Sequence, residues 1–210
     1  MPVVSNRLTV TSIALFAGYA LAGAAEKEPR FAPLPASSYA ARQTNDKVTI
    51  AAVPYITEEQ VHSAFGKLDP NRYGILPILV VIQNDSNQAL RLDRLEVEYI
   101  TLSRTHISPT PAKDVPYASG HIRQPKIENS PLPTGSPRVK RGKNPLADGQ
   151  IEVRAFSARM LPPGEQASGF FYFQTLNRYG SKVYLTGIRE AGTDKELFYF
   201  EIPLSDGGSK

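Results

Sequence analysis

The chain lacks cysteine and tryptophan altogether and contains only 3 histidines among its 210 residues. Without cysteine there can be no disulfide, no thiol nucleophile and no cysteine-ligated metal. The fold must therefore be held together by burial, which a chain of this length can achieve in one domain. The absence of tryptophan also removes the aromatic side chain best suited to form a flat platform for sugars.

Catalytic signatures are missing as well. His62, His106 and His121 are not paired at zinc-binding spacings, and no G-x-S-x-G sequence marks a serine nucleophile. Glu96 and Glu98 alternate with apolar residues, which is typical of a solvated strand face and not of paired catalytic carboxylates. We predict a protein that is not an enzyme, with no catalytic residue, no metal site and no cofactor. The alternative is an envelope hydrolase whose site is assembled by the fold.

The chain is mildly basic, with 24 Lys and Arg against 20 Asp and Glu and a net charge of +4. Hydrophobic residues make up 41% and charged residues 21%, which is typical of a globular protein. Proline (18) outnumbers glycine (15), so turns and irregular segments must be frequent. The net charge permits contact with an acidic surface but does not demand one.

The N-terminus has the pattern of a secretory signal peptide. Arg7 precedes the largely apolar run Leu8–Leu21, which is too short to span a bilayer comfortably, and Ala22-Gly23-Ala24 follows as a cleavage site. We predict that residues 1–25 are removed and that the protein is periplasmic or extracellular, without a stable membrane span. An uncleaved membrane anchor is the alternative. Export argues against nucleic acid as a partner, and the absence of cysteine favours a bacterial source.

Beyond the signal peptide, the sequence predicts one domain with flanking segments. Residues 26–47 are polar and show no periodic pattern of apolar residues, so they are predicted to be a flexible leader. Residues 205–210 are predicted to be a disordered tail. The domain spans residues 48–204. It is interrupted by residues 103–149, a long Pro-rich basic loop in which no periodic pattern occurs.

Strand patterns dominate the predicted domain. The run from Ile75 to Ile82 is apolar on both faces, as in a central, covered strand. In the next run, Ala89–Leu102, the apolar residues move from one strand face to the other at Asp93 and Arg94. This change predicts a bulge or a break between two strands. Further strands are predicted in VTIAAVP, QIEVRAF, GFFYFQ, SKVYLTGI and KELFYFEIP. About seven short strands that do not alternate with helices predict an all-β, antiparallel sandwich or barrel.

The best helix signal begins at a capping box, Thr57-Glu58-Glu59-Gln60, and Gly66 provides a stop. The stretch DPNRYGIL that follows has the first oxygen ligands and the glycine of a calcium-binding loop. Tyr73 and Val80 stand where two further ligands are required, and Pro77 would disrupt the exit helix. We therefore interpret the stretch as a joint between one short helix and the buried strand.

Two motifs resemble immunoglobulin-like β-sandwich domains of exported bacterial proteins. In ILPILVVIQNDSNQALRL a buried strand ends in an Asn/Asp/Ser turn, and in MLPPGEQASGFFYFQ a second turn launches an aromatic strand. The resemblance covers residues 48–204 apart from the Pro-rich insertion, although the disulfide and the core tryptophan of immunoglobulin domains are missing. It implies an immunoglobulin-like sandwich with a binding, assembly or structural role at the cell envelope or outside the cell. No site residues follow from it.

The candidate binding site lies in the Pro-rich loop. Between His121 and Lys143, six Lys or Arg residues stand against one acid, Glu128. The predicted contact with an anionic partner consists of Arg123, Lys126, Arg138, Lys140, Arg141 and Lys143. Phosphates, anionic lipid or an acidic glycan would each be attracted by this positive charge. The charge does not distinguish among them, and the partner is predicted to be an unidentified protein or envelope polymer. The alternative is a solvated loop without a partner.

Aromatic residues in GFFYF and LFYF fall on both faces of their strands. Core packing explains this pattern, and an aromatic platform for carbohydrate is the alternative. An open C-terminal edge strand would support a further alternative, a secretion or assembly chaperone that pairs its own sheet with a strand of its client.

Overall fold

The computed structural model describes residues 31–118, 126–127, 139–140, 144–147 and 149–204. For residues 126–127 and 139–140 the description covers the backbone alone. The predicted signal peptide and C-terminal tail lie outside the described residues and stay predictions. Of the helices that are described, none has the length and apolar character needed to cross a membrane.

The described chain is mostly β-structure. Its strands are β1 (Arg42–Asn45), β2 (Val48–Pro54), β3 (Leu76–Asn84), β4 (Leu90–Arg91), β5 (Glu96–Ile100), β6 (His106–Ile107), β7 (Lys126–Ile127), β8 (Val139–Lys140), β9 (Met160–Leu161), β10 (Gln166–Phe173), β11 (Lys182–Thr186), β12 (Arg189–Glu190) and β13 (Phe200–Pro203). Three short helices occur where one was predicted: α1 (Glu58–Phe65), α2 (Val115–Ala118) and α3 (Gln150–Arg154). All pairings between these strands are antiparallel, which confirms the all-β class.

The described strands form two four-stranded sheets, one three-stranded sheet and one two-stranded sheet. Sheet 1 has the order β1-β2-β3-β10, and sheet 2 has the order β13-β11-β5-β6. Sheet 3 has the order β12-β4-β9, and β7 pairs with β8. Within sheet 1, Val80 of β3 lies opposite Ala52 of β2 on one side and opposite Gly169 of β10 on the other. β3 is therefore a central strand, as predicted.

A hydrophobic core lies between sheets 1 and 2. Sheet 1 contributes Val48, Ile50, Leu76, Ile78, Val80 and Ile82, and sheet 2 contributes Val97, Tyr99, Val183, Leu185, Phe200 and Ile202. In sheet 2 the buried residues alternate with partly or fully exposed ones, such as Glu98, Tyr184 and Glu201. Sheet 2 therefore has one face in the core and one face in solvent, as antiparallel sheets commonly do.

The opposite face of sheet 1 is covered by what we call the helical layer. This layer consists of α1, α2, α3 and the 3-10 turns Ala36–Ser38, Ala112–Asp114 and Pro145–Ala147. Beneath it, Leu79, Val81, Phe170 and Tyr172 of sheet 1 pack with Val61, Phe65, Val115, Leu146 and Ile151. Because both of its faces are covered, β3 is apolar at nearly every position and shows no two-residue period.

The segment QIEVRAF was predicted to be a strand, and this prediction is wrong. Residues 150–154 form α3. The spacing of Ile151 and Val153 would place both on one strand face, but two helical positions are about 200° apart. Ile151 is accordingly 1% exposed and Val153 is 78% exposed. A short helix at this point buries one apolar side chain, Ile151, in the helical layer and leaves Val153 in solvent.

The predicted limits of the flexible segments also need correction. Ala36 is fully buried, and β1 pairs with β2, so residues 31–47 of the predicted leader belong to the fold. The turn between β1 and β2 was missed because Asp46 and Lys47 replace the glycine-containing pairs that usually mark such hairpins. The predicted loop at residues 103–149 is structured at both ends, where Val115 and Leu146 are buried.

Candidate partner-binding site

The predicted contact residues fall largely outside the described part of the chain. Arg123, Arg138, Arg141 and Lys143 lie outside the described residues. Lys126 and Lys140 are described by their backbone and stand opposite each other in the register of β7 and β8. We call residues 119–143 the basic segment.

Two described residues that flank the basic segment, Pro116 and Asn144, are in contact on the helical layer. Asn144 Nδ2 donates to Pro116 O at 2.6 Å, and Asn144 Oδ1 accepts from Leu146 N at 3.1 Å. Leu146 is itself 1% exposed, so it anchors this contact in the layer. The segment therefore leaves and rejoins the described fold at one clamp, formed by Pro116 and Asn144.

A groove lies beside this clamp, on the outer side of α1. It has a volume of about 530 Å³. Its lining consists of Glu58, Val61, His62, Gly66, Lys67, Leu68, Asp69, Arg72, Tyr73, Asn144 and Pro145. Two cations, Lys67 and Arg72, are balanced by two acids, Glu58 and Asp69, when His62 is neutral. The described lining of the groove is thus close to neutral.

No sequence pattern predicted this groove, because most of its residues belong to α1 and to the joint between α1 and β3. Asp69 Oδ1 accepts from Asn71 N at 3.0 Å, and Asp69 Oδ2 accepts from Arg72 Nε at 3.1 Å. Gly74 then ends the 3-10 turn with a φ of 73°. The Asp69 carboxylate is therefore used within the turn, and the interpretation of DPNRYGIL as a helix-to-strand joint is confirmed. Only the fold brings Lys67 and Arg72 next to Asn144.

The described histidines lie on opposite sides of the molecule. His62 belongs to α1 in the helical layer, whereas His106 belongs to sheet 2, where its Nδ1 lies 2.8 Å from Glu98 Oε2. Sheet 1 and the core separate the two layers. Within the described residues, no three His, Cys, Asp or Glu side chains are grouped closely enough to hold a metal ion. The structure therefore does not bring His62 and His106 into one site.

Two buried tyrosines hold the helical layer on sheet 1. Tyr172 OH donates to Ile151 O at 2.8 Å and so fixes α3. Tyr55 packs edge-on against Phe170, with ring centroids 4.9 Å apart. Burial raises the pKa of the Tyr55 phenol to about 12, and it also raises the pKa of Tyr172. Both phenols are therefore neutral at physiological pH.

The edges of sheet 1 and sheet 2 leave little room for strand addition. Along β10, Thr110 N donates to Tyr172 O at 2.7 Å. Further along, Phe156 N donates to Phe170 O at 3.1 Å. Gly169 permits this approach, because a Cβ there would lie 2.6 Å from Phe156 N. The edge strand β6 has two residues. In the described chain these edges are thus covered or very short, which counts against the strand-adding chaperone.

The edges of β1 and β13 are joined to each other by side chains. Gln43 Oε1 accepts from Glu201 N at 2.7 Å, and Asn45 Nδ2 donates to Tyr199 O at 3.2 Å. These contacts use backbone groups that an added strand would need. We call this line of contact between the two sheets the seam.

The two motifs that carry the immunoglobulin-like resemblance meet in space. Asn84, at the end of β3, is fully buried, and its Nδ2 donates to Gln88 O, Leu161 O and Pro162 O at 2.8, 3.2 and 3.1 Å. Its Oδ1 accepts from Ser86 Oγ at 2.6 Å. Asn84 thus ties the Asn/Asp/Ser turn to the Leu-Pro-Pro-Gly turn.

Comparison with known proteins identifies no family. No protein-family model matches the sequence, and no curated protein matches it. A solved structure with a partly similar backbone is ycdA from Bacillus subtilis subsp. subtilis str. 168, provisionally described as a lipoprotein, with a TM-score of 0.36 and 10% sequence identity. The match covers 78% of this chain, which spans 38% of the length of that protein. Similarity at this level carries no conclusion about fold or function.

Proposed function

We propose that this is a non-enzymatic exported protein that binds an acidic partner at the cell envelope through its basic segment. We further propose that sheets 1 and 2 form an immunoglobulin-like sandwich that presents this segment to the partner. The shared core of the two sheets supports the sandwich, as does the contact of Asn84 with both turns of the resemblance.

The clamp formed by Pro116 and Asn144 is the observation that carries the proposal. Because Pro116 and Asn144, which flank the basic segment, are bonded to each other, the segment can vary in sequence without disturbing the sheets. It concentrates six cations and one acid between positions 121 and 143. The described fold therefore works as a support, and the charge that would attract an acidic partner lies on the segment.

The magnitude of this attraction is modest for a single molecule. A Lys or Arg near an anionic surface contributes about 1 kcal/mol, so six cations less one acid give roughly 5 kcal/mol. That free energy corresponds to a dissociation constant of roughly 0.1 to 1 mM. Binding of this kind is weakened strongly by salt, because screening acts on exposed charges.

The proposal is tested by removing the six charges. Phosphate is common to anionic lipid headgroups and to soluble phosphate polymers, so we would use phosphatidylglycerol vesicles and inorganic polyphosphate as separate probes. The variant replaces Arg123, Lys126, Arg138, Lys140, Arg141 and Lys143 by Gln. We expect the natural chain to bind one or both probes at low salt, and the variant to lose this binding while unfolding at the same temperature.

A matched control carries six Gln replacements at exposed cations elsewhere, namely Lys47, Arg104, Lys113, Arg159, Arg178 and Lys195. It has the same net charge as the first variant and should still bind. Equal loss of binding in both variants would show an effect of net charge alone and would contradict the proposal. Failure of the natural chain to bind either probe would also contradict it. Binding to vesicles alone would identify a membrane surface, whereas binding to both would identify phosphate itself.

A further inference from the structure

Two neighbouring aromatic side chains before β13 are exposed although their flanking residues are buried. Phe198 is 73% exposed and Tyr199 is 53% exposed, whereas Leu197 and Phe200 are 5% and 0% exposed. Tyr199 also lies beside Tyr184 of sheet 2, with ring centroids 5.4 Å apart. The buried pair Leu197 and Phe200 fixes the backbone between them, so the exposed rings are held in place by the core.

These rings form one wall of a groove at the seam. The groove has a volume of about 450 Å³. Its other lining residues are polar: Gln43, Thr44, Asn45 and Asp46 of the β1–β2 hairpin. Amide, hydroxyl and carboxylate groups thus face two aromatic rings across a space within the size range of small-ligand sites. These groups include both hydrogen-bond donors and hydrogen-bond acceptors.

The polar wall is built on a strained turn. Asp46 and Lys47 have φ angles of 48° and 62°, in the left-handed region that glycine and asparagine occupy most readily. Asn-Gly or Asp-Gly would form this hairpin turn with less strain. The turn nevertheless presents a carboxylate, Asp46, to the groove. The strain falls on Lys47, because aspartate adopts the left-handed region more readily than lysine does.

The size of the exposed aromatic surface favours a small ligand over a protein partner. An aromatic side chain buries at most about 250 Å². Two partly exposed rings therefore offer well under the roughly 800 Å² per partner that a stable protein interface requires. An added strand is also disfavoured, because Glu201 N and Tyr199 O are already bonded to Gln43 and Asn45. The groove fits a ligand of a few rings better than it fits a folded protein.

We propose that this groove binds carbohydrate, with the C–H face of a pyranose ring on Phe198 or Tyr199. A sugar ring with equatorial hydroxyls has an apolar face, which gains by leaving water and by meeting the negative face of an aromatic ring. Its hydroxyls both donate and accept hydrogen bonds, and the amides and the carboxylate of the hairpin offer both kinds of partner. The site lies at the seam and includes none of the residues of the clamp.

The test is an NMR titration of the full mature chain with cellohexaose and with the hexamer of N-acetylglucosamine. We expect backbone amide shifts to change at residues 43–46 and 198–199. The Phe198→Ala and Tyr199→Ala variants should weaken binding by about tenfold or more, as the loss of a stacking ring does in other aromatic sites. Tyr117→Ala and Tyr179→Ala, which remove rings of 77% and 78% exposure elsewhere, should leave binding unchanged.

Several outcomes would overturn the proposal. The absence of shifts with both oligosaccharides at millimolar concentration would do so, and so would shifts that survive both ring deletions. Sedimentation of the same variants provides the remaining check. If Phe198→Ala converts a dimer into a monomer, the rings form a contact between two copies of the chain and the carbohydrate site is wrong.

Discussion

At the scale of single residues, Asn84 connects parts of the chain that are far apart in sequence. Its side chain bonds to Leu161 O, which lies 77 positions away, and to Gln88 O in its own turn. Its backbone also takes part, since Gly164 N donates to Asn84 O at 2.7 Å. An asparagine suits this position because one side chain supplies both donors and acceptors.

We predict that Asn84→Ala lowers the free energy of unfolding by about 3 kcal/mol, because it removes the donor of three carbonyl oxygens, including the buried Leu161 O, and leaves a cavity at a fully buried position. Urea denaturation measures the change. The matched control is Asn87→Ala, at an exposed position of the same turn, which should change stability by less than about 0.5 kcal/mol. Equal effects of the two substitutions would mean that the turn, and not the buried side chain, determines stability here.

At the scale of elements, the helical layer depends on two buried phenols, Tyr172 of β10 and Tyr55 just after β2. The pKa of Tyr55 is about 12 in the folded chain, against an ordinary value of 10.0, because burial disfavours its charged form. The folded state therefore keeps a proton that the unfolded state loses above pH 10. The stability that this phenol contributes is fully present below pH 10 and is lost as the pH rises towards 12. The pKa of Tyr172 is raised by the same cause and acts in the same direction.

We predict that the free energy of unfolding falls between about pH 10 and pH 12, by about 1.4 kcal/mol per pH unit from Tyr55, with Tyr172 adding to the fall in the same direction. Urea denaturation at a series of pH values measures the slope. Tyr55→Phe should remove about half of it, whereas Tyr179→Phe, at an exposed ring, should leave it unchanged. A slope that is the same in all three proteins would show that other groups cause the alkaline loss.

Some elements were predictable because their signals are local. The capping box at Thr57 forms as predicted, with Gln60 N donating to Thr57 Oγ1 at 3.3 Å, and Gly66 ends the helix. The apolar run of β3 and the break between β4 and β5 were equally local signals. In contrast, α3 was missed because the position of Ile151 is set by the helical layer. Tertiary packing there overrides a two-residue pattern.

The candidate sites were predictable only in part. Charge counting found the basic segment, because six cations within a short stretch are visible in the sequence. It could not find the groove beside α1, since Lys67 and Asn144 are brought together only by the fold. The exposure of Phe198 and Tyr199 could not be predicted from the sequence for the same reason. In an aromatic run such as LFYF, the neighbouring strand decides which rings are buried.

At the scale of the whole molecule, the seam and the clamp lie on different parts of the fold. Sheets 1 and 2 share one core, and the helical layer covers the outer face of sheet 1. Polar side chains join the sheets at the seam, while the clamp formed by Pro116 and Asn144 lies on the helical layer. The two proposals start from these different places, so the residues of each can be altered one at a time.

We propose above all that the fold supports the basic segment without depending on it for stability. The most direct measurement replaces residues 119–143 by a short Gly-Ser linker and records thermal unfolding and vesicle or polyphosphate binding on the same protein. Because Asn144 still bonds to Pro116, we expect an unfolding temperature close to that of the natural chain and complete loss of binding. Unfolding of the shortened chain, or binding that persists without the basic segment, would contradict this proposal.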